Sequence, residues 1–131
     1  MIYDASSIYR AIEIGAFNKL LEGKTLDLAH YELGNVVWKE VTRNKISESE
    51  GAKLIKFILK VISLMEILKI GIKNEVLKVA VDNNLSYYDA SYLYASSSMK
   101  DVLVTEDKKL LDRAIECSAG AGRFDEFLDK K

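Results

Sequence analysis

Four acids, Asp4, Glu32, Asp89 and Asp107, stand in separate local settings: M-I-Y-D-A-S, H-Y-E-L-G-N-V-V-W-K, L-S-Y-Y-D-A-S-Y-L-Y-A and V-L-V-T-E-D. Each adjoins a short apolar run or opens a helical one. A fold that gathers them sets like charges together away from water, at considerable cost unless a cation lies between them. An all-carboxylate set points to a hard divalent ion held by oxygen, Mg²⁺ or Mn²⁺. Phosphodiester hydrolysis is the chemistry that most often needs that arrangement.

Most of these acids also have a purely structural task open to them. Asp89 follows Ser86 by three residues, the spacing of a capping box. Asp107 suits a helix N-cap, and Glu32 falls in a first helical turn, where negative charge complements the macrodipole. Asp4 is harder to explain that way, because Ser6 or Ser7 is the better-placed cap. Asn35 and Lys39 lie one and two turns beyond Glu32 on the same helical face, suited either to phosphate contact or to solvent. Ser6 and Thr105 can hydrogen-bond the carboxylates or cap turns. Tyr87, Tyr88, Tyr92 and Tyr94 suit base stacking, the core, a cleft wall or a dimer surface. His30, the only histidine, reads as a helix-entry residue, and Cys117 as inert packing.

Elements must bring the acids together. Met1-Ile2-Tyr3 reads as a buried strand ending at Asp4, followed by a helical stretch that turns Ile8, Ile12, Phe17, Leu20 and Leu21 inward. Residues 25–28 read as a second extended piece before a helix over 29–42, with Leu33, Val36, Val37 and Trp38 on its apolar face. Ser47 and Glu50 form a capping box for a helix carrying Leu54, Phe57, Ile58, Val61 and Ile62 at three- and four-residue spacing. Periodicity leaves residues 65–70 open between strand and helix tail. A helix after Gly71 turns Val76, Leu77 and Ala80 inward and ends near Asn83-Asn84. Another spans about 87–98, before the clearest strand, Val102-Leu103-Val104. Asp107 starts the last helix, and the tail adds an edge strand around 124–128. Helices alternating with short apolar strands predict parallel pairing, with ligands gathered outside the carboxyl ends of the strands.

The bulk properties fit one soluble α/β domain over residues 1–131. A formal net charge of −1 excludes a nucleic-acid binder that relies on overall charge, although 15 lysines and 4 arginines leave room for a local patch. One cysteine permits no intrachain disulfide. No signal peptide is evident, and Lys56, Lys60, Glu66 and Lys69 interrupt the longest apolar region, so the cytoplasm is the expected compartment.

Together, D-A-S after the first strand, Y-E-L-G-N-V-V-W-K, Y-Y-D-A-S-Y-L-Y-A and T-E-D resemble a PIN-domain nuclease, most closely the VapC-type toxins of prokaryotic toxin–antitoxin modules. The resemblance implies a three-layer α/β/α sandwich with a short, mainly parallel central sheet. It also implies Mg²⁺- or Mn²⁺-dependent endoribonuclease activity, homodimerisation and inhibition by a cognate antitoxin. Asp4, Glu32, Asp89 and Asp107 match the family's acidic site, where they would serve as metal ligands and leave 3′-hydroxyl and 5′-phosphate ends. Ser6, Asn35 and Thr105 match its accompanying polar positions. The chain departs from the pattern in the short interval between Asp4 and Glu32, which implies a reduced helical cap, and in a poorly marked middle strand near residues 65–70.

Two other classes compete. A receiver-like phosphoacceptor domain also places acids at strand ends, but Thr105-Glu106-Asp107 stands where it needs a lysine. A catalytically inactive PIN-like module that grips RNA or protein is countered by the intact acid set.

Overall fold

Five short strands build the central sheet: β1 (Ile2–Tyr3), β2 (Lys24–Leu26), β3 (Glu66–Leu68), β4 (Leu103–Val104) and β5 (Ala121–Gly122). Their order is β3-β2-β1-β4-β5 and every pairing is parallel. The computed structural model describes residues 1–117 and 120–128. Among these residues six helices connect and cover the strands: α1 (Ala5–Glu13), α2 (Ala29–Thr42), α3 (Glu48–Ile62), α4 (Asn74–Asn83), α5 (Tyr87–Met99) and α6 (Lys108–Cys117). Short 3₁₀ turns lie at Phe17–Leu20 and Phe124–Phe127.

Alternation along each strand produces the three layers, because successive side chains point to opposite faces. Tyr3 and Val104 face one core with Ile8, Leu33, Val37, Ile58 and Ile62, so α1, α2 and α3 cover that side. Ile2 and Leu103 face the other with Val76, Ala80, Leu93, Leu110 and Ala114, which belongs to α4, α5 and α6. Gly23 is required where β2 begins, since a Cβ there would run into the Tyr3 ring.

Chain order reverses at β1. From there β2 and β3 are laid down on one side, and β4 and β5 on the other. The carboxyl ends of β1 and β4 thus flank the switch point, where open parallel sheets bind ligands.

Several local expectations are corrected. Asp4, not Ser6 or Ser7, is the N-cap of α1: its carboxylate accepts the Ser7 N–H. A residue that ends a strand can also cap the helix that follows directly. Leu21, Trp38 and Leu77, expected inside, are 39%, 59% and 53% exposed: Leu21 lies just past the 3₁₀ turn, and Trp38 and Leu77 each stand one position beyond a buried valine, Val37 and Val76. Cys117 is exposed rather than packed. The tail strand is Ala121–Gly122, and residues 124–127 form a 3₁₀ turn that buries Phe124. Residues 66–68 do form a strand, but at the sheet edge, and partial exposure of all three positions explains their weak pattern. The capping box of Ser47 and Glu50 closes as expected.

Candidate active site

Asp4 is the anchor of the acidic cleft. Its Oδ1 accepts hydrogen bonds from Ser6 Oγ at 2.7 Å and Ser7 N at 2.9 Å, while Oδ2 accepts one from the Thr105 hydroxyl. The two hydroxyls also accept backbone N–H groups of the T-E-D segment. Ser6 Oγ accepts the Glu106 N–H at 2.9 Å, and Thr105 Oγ1 accepts the Asp107 N–H at 3.1 Å. The D-A-S and T-E-D settings are therefore stapled together by the Asp4 carboxylate and the Ser6 hydroxyl. Asp4 is only 5% exposed, and burial pushes its carboxyl up to about 6 despite these hydrogen bonds.

Glu32 enters from the first turn of α2. Tyr92, buried on α5, donates its hydroxyl to Glu32 Oε1 at 2.8 Å. Desolvation pushes Glu32 up to about 7, opposed by that hydrogen bond and reinforced by the charges of Asp4 and Asp89. Burial likewise raises the Tyr92 phenol, with Glu32 adding to the shift. Asp89 lies in the first turn of α5. Ser86 Oγ accepts the Asp89 N–H at 3.1 Å, but no reciprocal bond from the Asp89 carboxylate forms among the described residues. Its pKa is raised by desolvation first and by Asp107 second, with Lys109 opposing. Asp107 caps α6 in part, Oδ1 accepting the Leu110 N–H at 2.9 Å.

All four acids line one hollow of ≈ 260 Å³, together with Ser6, Asn35 and Lys39. Thr105 lies behind this wall, fully buried, and reaches the cleft through its hydrogen bonds to Asp4 and Asp107. Tyr92 is the residue that sequence reasoning missed in this role. Its signal was the i, i+3 spacing from Asp89 on α5, which places both on neighbouring parts of one helical face. His30 stays outside, its Nδ1 3.0 Å from the Asp27 carbonyl at the entrance to α2.

The donor chemistry suits a hard divalent ion: every candidate ligand is a carboxylate oxygen, and the mutual repulsion has one lysine within the hollow to offset it. Asp4 is held in place by its hydrogen bonds. Among the described residues no three such side chains converge tightly enough to hold an ion as they stand. Glu32, Asp89 and Asp107 would have to turn inward to complete a shell.

An all-parallel sheet between two helical layers, with acids collected at its switch point, defines an α/β protein of PIN type. The crystal structure of PAE2754 from Pyrobaculum aerophilum superposes with a TM-score of 0.82 at 32% identity, covering 97% of this chain and 90% of that one. Exonuclease VapC9 of the same organism is 35% identical over 114 residues, which cover 84% of this chain and 82% of the relative. Ribonuclease VapC3, also from that organism, is 30% identical over 104 residues, 75% of this chain and 76% of the relative. No family model matches the chain. On these similarities the protein belongs to the VapC family of PIN-type nucleases.

Proposed function

We propose that this protein is a Mg²⁺- or Mn²⁺-dependent endoribonuclease, the toxin of a toxin–antitoxin pair acting in the cytoplasm. The carrying observation is that Asp4, Glu32, Asp89 and Asp107, from four separate segments, line one hollow. The name of one relative, a ribonuclease, supports RNA as substrate, and both names support phosphodiester hydrolysis as the reaction.

A divalent ion bound by these carboxylates would polarise the scissile phosphate and lower the pKa of an attacking water. The chain's own residues set the geometry. Asp4 is immobilised by Ser6, Ser7 and Thr105, so one ligand is fixed before substrate arrives. Glu32 is oriented by Tyr92 through Oε1, which leaves Oε2 to face the ion or the attacking water. Lys39 and Asn35 stand on the same wall to contact a phosphate oxygen. Hydrolysis would leave 3′-hydroxyl and 5′-phosphate ends.

Two partners complete the proposal. A cognate antitoxin would insert an Arg or Lys among the four carboxylates, displacing ion and RNA together. A homodimer is supported by Leu77 and Val81, exposed one turn apart on α4. The deciding experiment incubates the purified protein with single-stranded RNA in Mg²⁺, Mn²⁺ or EDTA, with Asp107→Asn in parallel. Metal-dependent products bearing 5′-phosphates are expected. Equal cleavage in EDTA, or by the variant, would overturn the reading.

A further inference from the structure

A second hollow, of ≈ 420 Å³, opens beside the acidic cleft and is lined by Leu28, Tyr31, Glu32, Asn35 and Tyr88. Glu32 and Asn35 line both hollows, so the two adjoin along those side chains. Its aromatic residues are largely in solvent: Tyr31 is 84% exposed and Tyr88 63%. Aromatic pairing among the described residues joins Tyr3 to Phe124 and Phe17 to Phe57, and does not involve them. Their neighbours on α5 behave differently. Tyr87 donates its hydroxyl to Gly71 O at 2.7 Å and accepts the Lys73 N–H at 2.9 Å, and Tyr92 is committed to Glu32.

We infer that Tyr31 and Tyr88 form a base-binding subsite that stacks an unpaired nucleobase flanking the scissile phosphate. This inference rests on the ribonuclease reading above and adds how substrate is held. Three observations converge on a nucleobase. The hollow shares its wall with the acids, so a phosphate in one places an adjacent base at the other. Two phenol rings with open faces provide planar apolar contact, and stacking of this kind accepts any base. The Asn35 amide at the junction is exposed and can hydrogen-bond a base edge or a ribose hydroxyl. A base stacked within a duplex presents no free face, so the subsite selects single-stranded segments.

The test is a coupling measurement between ring and base. Binding is measured by fluorescence anisotropy in the Asp4→Asn background, so that substrate survives, with labelled single-stranded RNA oligonucleotides. One oligonucleotide is intact, and others carry a single abasic ribose at successive positions. Tyr31→Ala and Tyr88→Ala are each expected to weaken binding of the intact oligonucleotide about tenfold. With the base missing at the matching position, the same substitutions should change affinity less than twofold. Tyr31→Phe and Tyr88→Phe keep the ring and should retain affinity, and melting curves establish that each variant is folded.

Equal losses on intact and abasic oligonucleotides would overturn the subsite while leaving RNA cleavage by the unsubstituted protein standing. Failure of that protein to bind or cleave RNA at all would remove both readings. If the substitutions instead dissolve a dimer in sedimentation without changing RNA affinity, the surface is a protein interface and the inference is wrong.

Discussion

Helices α3 and α5 begin with the same kind of signal, a serine followed three residues later by an acid, yet the two acids behave oppositely. At α3 the box closes. Ser47 Oγ accepts the Glu50 N–H at 3.0 Å, and Glu50 Oε1 accepts the Ser47 N–H at 2.8 Å. Those bonds favour the anion and hold Glu50 below its usual carboxyl range. At α5 only half the box forms, and the Asp89 carboxylate remains in the hollow with three other acids. Burial and Asp107 raise its pKa instead. One acid serves its own helix; the other is kept in an environment that disfavours its charge. The difference shows that an acid's local motif states what it can cap, while its surroundings decide whether the carboxylate is spent there.

The largest separation of the two sites should appear in catalysis. Asp89→Asn is expected to lower RNA cleavage by about a thousandfold, equivalent to roughly 4 kcal/mol, without lowering Tm. Cleavage within tenfold of the unsubstituted protein would make Asp89 a capping residue after all.

Stability in the absence of divalent ions should fall as pH rises, because the folded cleft holds protons that the unfolded chain releases earlier. Asp4 at about 6 and Glu32 at about 7 both lie above their unfolded values, so the loss spans roughly pH 4 to 7. The Asp4 shift corresponds to about 3 kcal/mol, and Glu32, partly open to solvent, adds a smaller, screened amount. Denaturant titrations at pH 5 and 7.5 in EDTA measure this. Stability that is equal or greater at the higher pH, once other titrations are matched with Asp4→Asn, contradicts it.

Mn²⁺ should reverse the destabilisation. At a hundredfold excess over its dissociation constant the gain is about 2.7 kcal/mol, read as a rise in Tm that shrinks in Asp107→Asn. An identical rise in both proteins would place the bound ion elsewhere.

Tyr92→Phe removes one hydroxyl and frees Glu32 Oε1. An outer partner of this kind is worth roughly 10- to 100-fold in activity or metal affinity. An unaltered rate and metal affinity would reduce Tyr92 to core packing. The smallest effect belongs to α3, where Glu50→Ala should lower Tm by on the order of a few degrees or less and leave cleavage unchanged. Reduced cleavage there would undo the contrast between the two helices.

The sequence by itself carried the acids, their order, and the elements that deliver them. Asp4 and Asp107 are legible because each follows an apolar run too short to be anything but a buried strand. The periodic faces of α2 and α3 are legible because packing against a sheet demands three- and four-residue spacing. Ser6, Asn35 and Lys39 each sit within a turn or two of an acid in the sequence, and they line the same hollow. Tertiary structure alone decided the rest. The hydrogen bond from Thr105 to Asp4 joins residues 101 positions apart, and that from Tyr92 to Glu32 spans 60. No local period records such pairings. The weak pattern of residues 66–68 became an edge strand because β2 offered it a parallel partner. Whether Asp89 closed a capping box or faced the cleft likewise depended on groups brought beside it from β1, α2 and α6. Local sequence sets which bonds a side chain is able to make, and long-range packing determines which of them win.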